Sequence, residues 1–207
     1  MKPLAFTALT VCGLEELDGH SARGVTHVLS ILDPDWPDPE AFGAFAPHHR
    51  ATFRFHDVIE PVPGMIAPEE ADVAAILAFA RDAGDVSHLL IHCHAGISRS
   101  TAAMLMILAQ ALPHESEDAA AARLANIRPQ AWPNSRMIAF ADELLGREGR
   151  LIAALGPLYA RRLEAQPELA EAMRLGRRGR EVELGLATRA LAPSPWSRMG
   201  DWVRSLL

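Results

Sequence analysis

Apolar residues follow two rhythms along this chain. Near the start, AFTALTVCGL (residues 5–14) and VTHVLSIL (25–32) are short apolar runs, rich in β-branched residues and bounded by Gly, Asp and Pro, which predicts buried strands. ATFRFHDV (51–58) alternates: Phe53, Phe55 and Asp57 point one way, Arg54 and His56 the other. From Pro68 the interval lengthens. APEEADVAAILAFARDAG sets Val73, Ile76, Leu77 and Ala80 at helical spacing and stops at Gly84, the start and stop signals of a helix in order. SHLLIHC (87–93) is again a short apolar strand, and HAGISRSTAAMLMILAQAL (94–112) is a loop entering a helix apolar nearly all round, hence central. Further helices are expected over Ser116–Asn126 and Asn134–Leu145. Strands alternating with helices predict an α/β fold: a single domain with a central, largely parallel sheet flanked by helices on both faces. Ligands of such sheets bind beyond the carboxyl ends of the strands.

The pattern loosens past Gly149, which divides the chain into a domain over residues 1–149 and a basic C-terminal extension over 150–207. One helix is expected around Pro157–Leu175. SPWSRMGDWVRSLL reads as a short amphipathic turn, with Trp196, Met199, Trp202 and Leu206 near one face. The extension is expected to be a partly ordered tail packed on the domain; a docking or membrane-surface element is the alternative. Charge sharpens the division. Residues 1–149 hold 10 Lys/Arg against 20 Asp/Glu, whereas 150–207 hold 10 against 6, within a total of −6. An acidic body argues against nucleic-acid binding, and a basic tail leaves room for an anionic partner. At 207 residues the chain suits one domain plus an appendage. Lys2 is its only lysine, a bias that suggests a bacterial source.

Two cysteines, Cys12 and Cys93, cannot build a disulfide framework, and no Cys/His spacing resembles a structural zinc site, so a reducing cytoplasm is the expected home. Lys2 followed by an apolar run up to Cys12 loosely imitates a lipidated leader. Val11 is not the small residue expected before a cleavage site, and a first buried strand is the better reading. No run approaches the roughly 18 apolar residues of a membrane span.

HCHAGISRS (His92–Ser100) carries the chemistry. It places a cysteine at the end of a buried strand and an arginine six positions later at a helix start. Gly96 lets the loop bend back, so that successive N–H groups from His94 through Ala95, Gly96, Ile97 and Ser98 to Arg99 converge on one centre. The helix N-terminus adds partial positive charge. Arg99 can close this cradle with a planar fork matched to two phosphate oxygens. The same field favours a thiolate, the nucleophilic form of cysteine, at Cys93. Ser100, and also Ser98, can hydrogen-bond the sulfur when it later leaves.

At these residues the chain resembles the cysteine-dependent protein tyrosine phosphatase superfamily, whose motif is His-Cys-x5-Arg-Ser/Thr. The resemblance is to its compact dual-specificity-like members. His92, Cys93, Gly96, Arg99 and Ser100 all match, and IRPQAWPNSRMIAFADELL is similar to the family's "RP…PN" segment and terminal helix. The likeness spans residues 1 to about 148. It implies a phosphatase-like fold and a two-step reaction. Cys93 takes the phosphoryl group while an aspartic acid protonates the leaving phenol, and the aspartate then helps water hydrolyse the phosphocysteine. No cofactor or metal is implied.

Trp36-Pro37-Asp38 spells the acid-loop tripeptide of large tyrosine phosphatases, but strand order favours another residue. Asp38 lies 55 residues before Cys93 with a whole strand and a helix between; Asp57 lies 36 before it, at a strand end, with one helix following. The family's topology fits Asp57, with Asp38 or Asp33 as alternatives. In DPDWPDPE the prolines and the Asp-Pro pairs explain themselves as a stiff turn at the pocket rim. Supporting roles are expected for His92, which orients the loop, and Asn134, which braces it or caps the last helix. His94 and Ile97 face the entrance. Cys12 is expected in the core, with a disulfide to Cys93 under oxidation as the alternative. The expected substrate is a phosphorylated protein or small aryl phosphate. A phosphoinositide or small-molecule phosphatase, and a phosphate-binding adaptor without turnover, remain the other readings.

Overall fold

β4 (His88–His92), the strand that delivers Cys93, is buried at every position and lies inside the sheet. This is a computed structural model that describes residues 7–83 and 87–191. The four strands are β1 (Ala8–Cys12), β2 (His27–Leu32), β3 (His49–Arg54) and β4, in the order β1-β4-β2-β3, all parallel. Strands buried on both faces must be apolar throughout, as HVLSIL and HLLIH nearly are. β3 is at the edge, and its exposure alternates as its sequence does.

Side chains of one strand go to opposite faces, which splits the core in two. Val11, Leu29, Ile31, Leu89 and Ile91 face the α-helices, while Cys12, Val28 and Leu90 face a smaller cluster with Leu17 and Val25. Helices cover both faces unequally: α-helices on one, two short 3-10 helices (Leu14–His20 and Glu40–Ala44) on the other.

α1 (Glu70–Asp82) carries the chain from β3 back to β4; its predicted apolar stripe, Val73, Ile76, Leu77 and Ala80, is the buried one. α2 (Arg99–Ala111) buries 12 of its 13 residues, which makes it the central helix its composition demanded. α3 (Glu117–Ile127) is capped by Ser116, whose Oγ accepts from Ala119 N, and α4 (Ser135–Leu144) by Asn134, whose Oδ1 accepts from Arg136 N and Met137 N.

Residues 150–191 form four more helices: α5 (Arg150–Ala153), α6 (Leu155–Ala165), α7 (Leu169–Leu175) and α8 (Gly179–Leu191). The single helix expected over 157–175 is broken at Gln166, because Pro167 cannot continue the ladder and drives its predecessor out of helical geometry. α8 had no clear sequence signal. Its Gly185 is a packing requirement, since a Cβ there would lie 2.8 Å from Tyr159 Cβ on α6. Leu151, Leu155, Leu158, Tyr159, Leu163 and Val182 join the same core as the sheet and α2. Tyr159 stacks on Trp132 with ring centroids 4.4 Å apart and donates to Pro133 O. The amphipathic turn expected at 196–206 lies outside the described residues. No described helix is long and apolar enough to cross a membrane.

Asp142, buried in α4, ties the two stretches together: its carboxylate accepts from Gly149 N (2.6 Å) and Leu151 N (2.8 Å) at the start of α5. Asp142→Ala should therefore cost about 2–3 kcal/mol, the combined loss of a helix cap and of buried acceptors. Urea unfolding monitored by circular dichroism measures it. A loss below about 0.5 kcal/mol, the range of an ordinary surface substitution, would contradict the linkage.

Candidate active site

Because the sheet is parallel, β2, β3 and β4 all end on one edge, and there the chain places Asp33, Phe55 and Asp57, and Cys93. The loop from Cys93 to Arg99 turns at Gly96, which has φ of 68° and passes so close to β1 that a Cβ would sit 2.4 Å from the Cys12 carbonyl carbon. Only glycine fits. Each carbonyl from His94 to Ser98 is then held from outside the loop. His94 O accepts from Leu14 N (2.9 Å), Ala95 O from Arg128 Nη2 (3.2 Å), Gly96 O from Arg128 Nε (3.0 Å), Ile97 O from Trp132 N (2.9 Å) and Ser98 O from Asn134 N (3.4 Å). Carbonyls drawn outward leave the loop's N–H groups to turn inward, an arrangement suited to an anion at the N-terminus of α2. Arg128 is itself fixed by two 2.8 Å bonds to Glu16, whose carboxyl pKa the guanidinium lowers.

Cys93 is buried at the floor, with Ser100 Oγ 3.2 Å from its sulfur. Arg99 is buried as well. Its Nη1 donates to Asp33 Oδ1 and to Phe55 O, both at 2.6 Å, while its Nε has no partner among the described residues. A guanidinium aimed by one arm and unsatisfied at another suits a bidentate oxyanion. Within the loop, Ala95 is exposed and His94 and Ile97 partly so. His94 Nε2 accepts from Asp33 N (3.2 Å), and Trp36 meets the ring edge-on at 4.5 Å; burial holds the His94 pKa below its ordinary value, which favours the neutral ring.

The loop after β3 is pinned at both ends, since His56 N donates to Ile66 O (2.7 Å) and Ile66 N to His56 Nδ1 (2.9 Å). Asp57 follows directly. Its Oδ1 accepts from Ser98 Oγ (2.7 Å), Asn134 Nδ2 (2.8 Å) and Arg178 Nη1 (3.3 Å). Asn134 thus both caps α4 and holds Asp57. Asp38 is elsewhere: half exposed, it pairs with Arg50 (2.5 Å) and Arg54 (2.6 Å) of β3, and Arg54 also donates to Trp36 O. The DWPD segment is a rim fastened to the edge strand.

No family model and no curated relative matches the sequence. Among solved structures, DUSP15 matches with a TM-score of 0.51 at 19% identity, covering 73% of this chain and 90% of that one. The chain has the dual-specificity phosphatase fold. Human DUSP28 (TM-score 0.47, 19% identity, 68% and 96% covered) and the Yvh1 phosphatase domain from Chaetomium thermophilum (0.45, 21%, 69% and 93%) also match. In this phosphatase fold the structure brings together Cys93, Ser98, Arg99, Ser100, Asp57, Asn134 and His94. His92 lies on the other side of Cys93, its Nε2 2.7 Å from Ser30 Oγ. Cys12 is a free buried thiol whose pKa burial pushes up to about 12, which disfavours the thiolate that disulfide exchange needs. Among the described residues no three His, Cys, Asp or Glu side chains are placed to hold a metal ion.

The roles of four residues were missed from sequence. Asp33 was weighed only as an acid, but it orients Arg99; Glu16 and Arg128 brace the loop from 112 residues apart; and Arg178 reaches Asp57 from 121 residues away. Only Arg128 had a signal, its place in the RP segment.

His92 gives a pH prediction. Burial lowers its pKa to about 4, against about 6.5 in an unfolded chain. Between those values the unfolded state takes up a proton that the folded state refuses. Stability is therefore complete above pH 6.5 and declines as pH falls to about 4, by about 3 kcal/mol at most. His92→Gln, which keeps a donor near Ser30, should flatten that decline in urea melts compared across the window. Equal slopes in both proteins would contradict the assignment.

Proposed function

We propose that this chain is a phosphoric monoester hydrolase of the protein tyrosine phosphatase type, acting on phosphotyrosine or another aryl phosphate. The observation that carries the reading is the loop with its carbonyls drawn outward: Cys93 lies under an inward ring of N–H groups, Arg99 is aimed by Asp33, and Asp57 is tethered to the same loop through Ser98.

In the first step Cys93 sulfur attacks phosphorus in line with the ester oxygen. The P–O bond breaks, and Asp57 passes its proton to the departing oxygen. In the second, water attacks phosphorus, Asp57 takes the water's proton, and sulfur leaves as thiolate with the Ser100 hydroxyl beside it. The N–H ring and Arg99 stabilise the oxygens in both transition states, donors fixed in advance being worth more than reorganising water. Since all three hydrogen bonds to Asp57 fall on Oδ1, Oδ2 is the oxygen that carries the proton.

Asp38 pairs with Arg50 and Arg54 at the rim and Asp33 with Arg99, whereas Asp57 is tethered to the Cys93–Arg99 loop itself through Ser98, with Oδ2 left without a bond among the described residues, which favours Asp57 as the acid. The cradle lacks lysines, which favours a protein or aryl substrate over a phosphoinositide. Two free thiols suit a reducing cytoplasm, and the arginine-for-lysine bias a bacterial source.

With para-nitrophenyl phosphate, Cys93→Ser should abolish release of nitrophenol. With phenyl phosphate, whose leaving group needs a proton, Asp57→Asn should lower kcat by about 10² to 10⁴, whereas Asp38→Asn should change it less than about threefold, since an exposed pair contributes little. Turnover that survives Cys93→Ser would overturn the reading. The reverse order of the two aspartates would move the acid to Asp38.

A further inference from the structure

The residue that the reaction scheme leaves unexplained is Arg178, in the short connection between α7 and α8. The chain is turned there by Arg177, a non-glycine residue at φ of 59°, and by Arg178 N donating to Met173 O (2.8 Å). The Arg178 side chain therefore points inward; the residue is 7% exposed. Its guanidinium has two faces of contact. On one, Nε and Nη2 form a fork to Glu181 Oε2 (2.7 Å) and Oε1 (3.0 Å). On the other, Nη1 donates to Ser98 Oγ (2.7 Å) and to Asp57 Oδ1 (3.3 Å).

Glu181 is also buried, and it fixes more than Arg178. It accepts from Trp132 Nε1 (2.5 Å) and Ser135 N (2.8 Å), which flank Asn134, the residue whose amide holds Asp57. One carboxylate from α8 thus locks both the arginine and the segment that grip the acid. A buried cation this well paired costs desolvation that only full hydrogen bonding offsets. A stabilising role alone could have been met by apolar packing. What the arginine adds is a fixed positive charge and a donor at the acid's anchoring oxygen.

Resting on the phosphatase reading above, we propose that Arg178 is a positioning residue for the acid step, supplied by the C-terminal helices. It orients the Ser98 hydroxyl toward Asp57 and holds Oδ1, so that Oδ2 faces the leaving group with the proton. When the Oδ2–H bond breaks and the leaving oxygen gains the proton, the negative charge left on Asp57 develops beside the guanidinium. When water attacks the phosphocysteine, Asp57 takes a proton back; Arg178 itself exchanges none. Lysine, whose three donors sit on one nitrogen, lacks the planar fork that spans Glu181 and the Ser98–Asp57 pair together.

The test compares phenyl phosphate, a poor leaving group, with 2,4-dinitrophenyl phosphate, which departs without a proton. Arg178→Met should lower kcat/KM, which reports only the steps up to loss of the phenol, by about 10 to 10² on the phenyl ester, the scale of a misplaced catalytic group, and leave kcat/KM for the dinitrophenyl ester within about threefold. Placed on Asp57→Asn, the same change should cost nothing further, because an arginine acting through Asp57 has nothing left to position. Arg178→Lys is measured beside it as a variant that keeps the charge, and melting curves establish that each protein is folded. It should show a smaller loss with the same preference for the phenyl ester. Equal losses on both esters, or an undiminished loss on Asp57→Asn, would overturn the assignment alone. A wild-type protein that turns over neither ester would overturn the phosphatase reading, and this assignment with it.

Discussion

Five consecutive carbonyls, from His94 to Ser98, are each pulled away from the centre of their own loop by a donor from another part of the chain. Backbone carbonyls that pack against the rest of the chain must be paired, so the outer surface of the loop dictates its inner one. Once Leu14, Arg128, Trp132 and Asn134 take the carbonyls, the N–H groups have one direction left. The requirement reaches back into the fold: Gly96 has to pass against the end of β1, Glu16 has to hold Arg128, and the segment of residues 128–134 has to lie alongside the loop. The proposed anion site is thus a consequence of where the carbonyls go, and Asp57, the proposed acid, is fastened to the same frame through Ser98.

The C-terminal helices belong to that frame. Tyr159 stacks on Trp132, and Glu181 holds Trp132, Ser135 and Arg178 together. The segment that carries Asn134 is pressed between the Cys93–Arg99 loop on one side and α6 and α8 on the other. Asp142 fastens the start of this helical unit to α4. Packing, hydrogen bonding and the placement of Asp57 are accordingly one problem, and the extension contributes to it with side chains that are buried rather than merely docked.

Much of the site was legible because its chemistry is contiguous: His92 to Ser100 states a strand end, a tight turn and a helix start in nine letters. Asp57 was legible for a different reason, since the order of strand, helix and strand places it, even though WPD reads more loudly at residues 36–38. The pairs Asp33–Arg99, Glu16–Arg128 and Asp57–Arg178 were not legible. Each joins residues 66 or more positions apart, and nothing in the local pattern of either partner marks it. α8 was missed because Gly179 and Gly185 weaken its helical propensity, while the feature that stabilises it is close packing on α6. The halt of α6 at Gln166 could have been read from Pro167, but the helical spacing on both sides of it hid the break.

The central claim is covalent: during turnover the phosphoryl group resides on Cys93. The direct measurement is rapid acid quenching of the enzyme with an aryl phosphate, followed by peptide mass spectrometry and phosphorus NMR. The account predicts a phosphoryl group on the peptide containing Cys93, with the chemical shift of a thiophosphate ester, absent in Cys93→Ser. Steady turnover with no adduct on sulfur, or with the phosphoryl group on another side chain, would contradict it.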